Sequence, residues 1–463
     1  MNYSLYTDLY ELTMAQGYFL AGREKEEAVF DYFFRKLPFE GGYAVFAGLE
    51  TLLDILEGYK FGSKEIAYLK RLGFKKEFLE YLKNFRFKGN VFSVKEGEVV
   101  FPNEPIVRIE GTLIETQLIE TLILNVLNFQ SLVATKAARI CSAAGEKAVL
   151  DFGMRRAQGL GAVWASRASV IGGVKATSNV FAAKEFGLTP SGTMAHSWVQ
   201  SFGDELIAFR KYAEIYPDNA VLLLDTYNTL GSGLPNAIKV AKELEAKGKR
   251  LLGVRLDSGD FAYLSREVRT KLNAAGLDYV KIAVSNQIDE YIIKSLEEQS
   301  AAIDIYGVGT KLAAAKPDGA LDGVYKLSEI AGKATMKFSE NIAKTTLPGR
   351  KEIRRFFSED GSFYGDAVTL TDEKAISKYY HPHFSEKFKV VKGLRFENLL
   401  SLVFSKGKTT LPRISISEIA DYAKNRLNLL PSEVRRFDFP HIYKVGVNKS
   451  IITLRGLLYT GNK

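Results

Sequence analysis

The strongest constraint on this chain is a rhythm in its middle third. Short apolar runs recur there, and each closes on a polar or glycine-rich cluster. Ala148–Phe152 closes at Gly153, Val221–Leu224 at Asp225-Thr226, and Leu251–Leu256 at Asp257-Ser258-Gly259-Asp260. Val280–Val284 closes at Ser285-Asn286, and Ile303–Tyr306 at Gly307-Val308-Gly309-Thr310. Between them, Gly233–Lys247 and Tyr263–Ala275 carry apolar residues at helical spacing, with Gly248 and Gly276 placed as stops. Continuous apolar strands alternating with helices imply a parallel sheet covered on both faces. Spacings of about 24–32 residues suit successive βα units. An irregular (β/α) barrel is the leading architecture, and a doubly wound sheet is second. In either, ligands sit at the carboxyl ends of the strands, where these clusters would meet.

The flanks lack this rhythm and read as an α+β domain built from both chain ends. Residues 1–135, completed by about 335–360, form that domain; residues 136–334 form the barrel and 361–463 a C-terminal lobe. Lys+Arg 63 against Asp+Glu 54 leaves a charge of +9 and a pI near 9.1. Acids interspersed among the bases speak against a nucleic-acid surface, and small polyanionic substrates explain the excess equally well. Cys141 stands alone, which excludes a disulfide framework and a cysteine-rich zinc site and suits a reducing compartment. MNYSLYTDLYELTM shows no basic region leading into an apolar one, so the expected location is the cytoplasm. Leu113–Ala134 approaches the length of a membrane span, yet Glu115, Gln117, Glu120, Asn125, Asn128 and Gln130 interrupt it. Its apolar spacing suits a buried helix.

Several clusters could carry chemistry. Gly307-Val308-Gly309-Thr310 is either a phosphate-binding loop or a plain turn, since glycines there admit backbone N–H groups close to an anion. Ile171-Gly172-Gly173, followed by Thr177-Ser178-Asn179, is a second such candidate. Arg255 and Asp257 share one face of a strand. They form either an ion pair or a wall in which Arg255 takes a ligand carboxylate or phosphate and Asp257 takes sugar hydroxyls or Mg²⁺. Asp151-Phe152-Gly153-Met154-Arg155-Arg156 sets two guanidinium groups beside an aromatic ring, an arrangement that favours a phosphorylated ligand. His196, after the small residues of Gly192-Thr193-Met194-Ala195, is either a structural histidine or one that reaches an active-site floor. His381-Pro382-His383 reads as a surface turn. Asp8 is placed to cap a helix that begins with Leu9-Tyr10.

Taken together, these motifs resemble the nicotinate phosphoribosyltransferase family. YTDLYELTMAQGYF, FFRKLPFEGGYAVFAGLE, DFGMRRAQG, GTMAHSW, RLDSGD, VSNQIDE and GVGT occur in the family's order and cover residues 3–357. The resemblance implies an irregular α/β barrel with a domain from both chain ends. It also implies transfer of phosphoribose from 5-phosphoribosyl 1-pyrophosphate to nicotinate, coupled to ATP hydrolysis, in a homodimer with shared active sites. By the same resemblance His196 is the histidine that ATP phosphorylates. Tyr10, from the partner subunit, and Phe152 would sandwich the pyridine ring. Thr193 and Arg255 would hold nicotinate, while Thr310 with Gly307 and Gly309 would hold the ribose 5-phosphate. Asp257 would sit by the ribose and Mg²⁺, and Arg155 and, across the interface, Arg35 would face the phosphates. Lys344, Arg350 and Lys351 form a basic segment placed to close over pyrophosphate. By the resemblance, Ala176 stands where many family members carry glycine and Asn228 where an aspartate is frequent. The nearest rival activity is the nicotinamide phosphoribosyltransferase one, whose aspartate in this region is matched here by Ser178; a carboxylate substrate favours the serine. A basic nucleic-acid-binding protein and a non-catalytic nucleotide-binding barrel are the rivals from other classes.

Overall fold

The computed structural model of the chain describes residues 2–338, 345–384 and 386–461. It divides into two compact units, Val133–Gly319 and Met1–Leu132 with Ala320–Lys463.

In the first of these, six parallel strands form one sheet: Ala148–Asp151, Ala176–Thr177, Val221–Leu223, Gly253–Leu256, Lys281–Ser285 and Ile305–Val308. Their spatial order is second, first, sixth, fifth, fourth, third. That is chain order read around a circle, with first and last strands paired, as a barrel requires and a doubly wound sheet does not. The ring is open only between the second and third strands. Residues 189–191 continue the second strand's edge there, Thr177 N–H bonding to the Thr189 carbonyl and Ser191 N–H to the Thr177 carbonyl. The second strand has only two residues, too short for an apolar run to reveal it.

The intervening helices follow their end signals. Leu234–Glu245 has Pro235 in its first turn, and Phe261–Ala274 is capped by Asp260, whose carboxylate accepts from Tyr263 N–H at 3.0 Å. Gly248 and Gly276 follow with φ of +70° and +68°, a left-handed conformation that glycine adopts without a Cβ penalty. Gly172 ends the helix Leu160–Ile171; a Cβ there would lie 2.4 Å from the Ala134 carbonyl. The second phosphate-loop candidate is therefore corrected in part: Gly172 serves close helix packing.

The other unit combines three sheets, the smallest pairing Ala44–Val45 with Val99–Val100. One runs, in order, through Lys333–Ala334, Gly323–Ile330, Glu27–Phe34, Val107–Thr112, Asn90–Ser93, Ser401–Ser405 and Lys408–Thr409. Gly323–Ile330 pairs antiparallel with Glu27–Phe34, and Phe30 stacks on Tyr325 with ring centroids 4.7 Å apart. The second sheet is drawn wholly from the C-terminal third, with Val445–Val447 and Phe363–Leu370 at its centre. The apolar stretch from Leu113 forms helices Leu113–Gln117 and Glu120–Ala144. The stretch Leu113–Ala144 is long and apolar enough to cross a membrane. Leu118, Ile119, Leu122, Ile123, Val126 and Leu127 are nevertheless buried, which makes it a core element.

Candidate functional site

The strand ends of the barrel surround a cavity of about 220 Å³. Arg255 is its best-anchored group. Its Nε donates to Ser285 Oγ at 2.8 Å, one terminal nitrogen donates to Thr193 Oγ1 at 2.8 Å, and the other lies 2.5 Å from Asp257 Oδ1. The Ser285 hydroxyl also donates to Asp257 Oδ1. Burial tends to raise the Asp257 carboxyl, but Ser285 and Arg255 outweigh it and hold that carboxyl below its ordinary value. The ion-pair reading of Arg255 and Asp257 is realised, and both residues line the cavity.

An aromatic wall completes this corner. The Arg255 guanidinium lies 5.6 Å from the Phe152 ring centroid. Gly307 is what leaves room for that ring, because a Cβ at 307 would sit 2.5 Å from it. Gly153 is equally constrained: its Cβ would lie 2.3 Å from that of Ala313. Buried Asp151 ties the first two strand ends together, accepting from Gly153 N–H at 2.7 Å, Ser166 at 2.8 Å and Thr177 at 2.7 Å. Arg155 and Arg156 follow in a 3₁₀ turn, exposed and lining the same cavity with Ser178, Gly309 and Thr310.

His196 begins the helix His196–Ser201 beside this cavity. Its Nδ1 is 3.1 Å from Thr226 Oγ1, and its Nε2 is 3.7 Å from Asp257 Oδ2. Behind Asp257, Asp225 Oδ2 accepts from the Asp257 N–H at 3.2 Å and from Ser258, while its buried Oδ1 has no partner among the described residues. Asn228 caps the following turn, accepting from Gly231 N–H at 2.7 Å. The sequence reading gave no role to Asn286 and Gln287, which line the cavity with φ of +88° and +53°. Two successive non-glycine residues in the left-handed region mark stored strain of the kind that gathers at functional sites. Asparagine enters that region more readily than most residues, but nothing in the residue type of Gln287 announces it.

Phe152, Arg155, Ser178, Thr193, Arg255, Asp257, Gly307, Gly309 and Thr310 therefore share one cavity, with His196 at its edge. Tyr10 and Arg35 belong to the other unit, where Tyr10 is exposed on the helix Leu9–Leu20. Asp8 precedes that helix without capping it; its carboxylate accepts from Thr121 Oγ1 at 3.1 Å. Lys344 lies outside the described residues. Arg350 and Lys351 are not free to close over a ligand. Arg350 Nε donates to Glu329 at 3.0 Å, and buried Lys351 lies 2.7 Å from Asp31. Among the described residues no group of three or more His, Cys, Asp or Glu side chains could hold a metal ion.

A parallel barrel whose strand ends present an anchored arginine, an aromatic plane, glycine turns and further arginines defines a class: an α/β-barrel protein for aromatic and phosphorylated anions. Comparison with known proteins narrows this. The nicotinate phosphoribosyltransferase N-terminal domain matches residues 5–128, the nicotinate phosphoribosyltransferase family residues 148–391, and its C-terminal domain residues 350–455. The chain is 46% identical over 459 residues to the nicotinate phosphoribosyltransferase of Bacillus subtilis, covering 96% of this chain and 93% of that one. The crystal structure of human nicotinic acid phosphoribosyltransferase superposes with a TM-score of 0.87 at 31% identity, over 98% of this chain and 99% of that one. That of the nicotinate-nucleotide pyrophosphorylase from Pyrococcus furiosus superposes with a TM-score of 0.72 at 26% identity, over 92% and 95%. The chain belongs to the nicotinate phosphoribosyltransferase family.

Proposed function

We propose that this chain joins nicotinate to 5-phosphoribosyl 1-pyrophosphate, giving nicotinate mononucleotide and pyrophosphate for NAD biosynthesis, with ATP hydrolysis coupled through His196. The observation that carries the reading is the Arg255 corner. A guanidinium fixed by Thr193, Ser285 and Asp257 beside the Phe152 ring suits a flat ring bearing a carboxylate. Ser178 puts a neutral hydroxyl rather than a carboxylate at its own place in the lining, which spares such a substrate one repulsion.

The chemistry asks little covalent work of the protein. Pyrophosphate leaves C1 of the ribose with oxocarbenium character, and the pyridine nitrogen is already nucleophilic. What remains is to hold the ring in line and to stabilise the departing anion. Arg255, Thr193 and Phe152 orient the ring. The Gly307 and Gly309 backbone with Thr310 binds the 5-phosphate, and Arg155 receives pyrophosphate. Asp257 faces the ribose. Asp257 Oδ2 and the unpartnered Asp225 Oδ1 suit Mg²⁺ held through water, and bound Mg²⁺ would neutralise charge on the leaving group. We place Tyr10 and Arg35 at the site of the partner subunit in a homodimer, and Lys344 over the phosphates. The expected location is the cytoplasm.

Thr226 holds Nδ1 of His196 and leaves Nε2 to take the γ-phosphoryl group of ATP, with ADP departing. The new phosphate adds nearly two negative charges beside Asp257 and reorders the basic loops around it. His196→Asn tests this. It is expected to abolish ATP stimulation and the label that γ-³²P-ATP leaves on the protein, while keeping slow ATP-independent turnover. ATP-stimulated turnover in the variant would refute the coupling.

A further inference from the structure

Two neighbouring strands of the barrel part company at the cavity. Lys281–Ser285 and Ile305–Val308 run parallel, and their last paired residues are Ser285 and Gly307. Beyond that pair, one chain enters the left-handed Asn286-Gln287 turn and the other the Gly309-Thr310 loop, and both line the cavity. Among the described residues one polar contact joins the two segments: Lys311 Nζ lies 3.0 Å from Asp289 Oδ2. Lys311 directly follows Thr310, is half-buried, and makes no other side-chain ion pair or hydrogen bond with a described residue. Neither Lys311 nor Asp289 lines the cavity, so each acts there through its neighbours.

Asp289 gives the lysine a fixed point to hold. It is buried, and its Oδ1 accepts from Ile292 N–H at 3.0 Å, which caps the helix Glu290–Glu298. Burial tends to raise its carboxyl, but the Ile292 N–H and Lys311 outweigh it, with Lys136 adding to them, and hold the group below its ordinary value. The next residue secures the helix end from behind: wholly buried Glu290 lies 2.5 Å from Lys136 Nζ and 2.9 Å from Arg139 Nε. The Thr310 loop is thus tied to a rigid element, not to another loop. The strained turn is held on its other side, where Asn286 Nδ2 donates to the Asp257 carbonyl at 3.2 Å. Such strain persists only where the surroundings over-determine it.

We propose that the Asp289–Lys311 ion pair is a brace that sets the spacing between the Gly309-Thr310 loop and the Asn286-Gln287 turn. Both are then positioning residues for the phosphoribosyl substrate and not for nicotinate. This rests on the reading that the Gly307, Gly309 and Thr310 loop binds the 5-phosphate. Arg255 keeps its own anchors on Thr193, Ser285 and Asp257, so nicotinate recognition does not depend on the brace.

The test uses the full chain carrying Asp289→Asn, which keeps a side chain able to cap the helix, or Lys311→Met, which keeps an apolar stem. Each is expected to raise the KM for 5-phosphoribosyl 1-pyrophosphate about tenfold, and to weaken ribose 5-phosphate binding in calorimetric titration by a similar factor. The KM for nicotinate is expected to change by about twofold at most. The double variant is expected to be no worse than either single one, and Lys311→Arg to restore part of the loss. Additive losses, equal rises in both KM values, or unchanged phosphoribosyl affinity in Lys311→Met would overturn the proposal. Tighter binding in Asp289→Asn would also overturn it, because Lys311 would then be a phosphate ligand held back by Asp289. Ribose 5-phosphate keeps the two claims apart. A parent chain that binds it but forms no nucleotide would end the functional reading, and the calorimetric loss in Lys311→Met would still decide the brace. A parent that binds no ribose 5-phosphate would overturn both.

Discussion

Arg255 has three anchors of different kinds, and they dictate what its replacement does. Lysine keeps the charge but loses the planar fork that meets Thr193, Ser285 and Asp257 together. Arg255→Lys is expected to raise the KM for nicotinate on the order of tenfold to a hundredfold, with kcat changed far less and the thermal midpoint held. A variant with unchanged KM would remove Arg255 from carboxylate recognition. This residue was legible because it precedes a polar cluster at the end of an apolar run, as Phe152, Ser285, Gly307 and Thr310 also adjoin strand ends. His196 was legible only through the family motif; its partner Thr226 comes from a different loop, and no spacing rule links them. Asn286 and Gln287 escaped because ordinary side chains hide an unusual backbone.

At the level of elements, strands and helices followed their periodicity, and errors gathered at the ends and in the shortest pieces. The two-residue strand Ala176–Thr177 has no pattern to detect. Asp8 and Asp260 look alike in sequence, yet only Asp260 caps its helix, because Thr121 offers Asp8 a competing donor. The helix Leu9–Leu20 carries a sharper consequence. Glu11 is buried and accepts from the N–H of Thr121 at 2.8 Å; burial outweighs this and pushes its carboxyl up to about 7. A raised carboxyl binds a proton more readily folded than unfolded, so stability falls as pH rises from the ordinary glutamate range towards 7. Glu11→Gln removes that penalty. The variant is expected to gain about 2 kcal/mol on the parent between pH 5 and pH 8 in urea unfolding. A difference that stays flat with pH would show that Glu11 ionises without cost.

On the scale of the whole chain, both ends build one unit, and buried charges fasten them. Arg355 lies 2.6 Å from Glu98 and 2.6 Å from Asp366, and Arg426 approaches the same Glu98 oxygen at 2.8 Å. Arg355 is wholly buried, so removing it takes from Asp366 its ion pair and leaves Glu98 with Arg426. Arg355→Ala is expected to cost about 3–5 kcal/mol in urea unfolding, and an unchanged midpoint would contradict the fastening role. This network was not legible in sequence, since Glu98 and Arg355 are distant in the chain and their pairing depends on sheet assembly. The barrel was legible, because its strand order follows the chain. The account rests most heavily on substrate identity, and one assay addresses it: nucleotide formation from 5-phosphoribosyl 1-pyrophosphate with nicotinate or nicotinamide, each with and without ATP. The expected product is nicotinate mononucleotide, in greater yield with ATP, and little or none from nicotinamide. Nicotinamide turned over in preference, or neither base used by folded protein, would contradict the account.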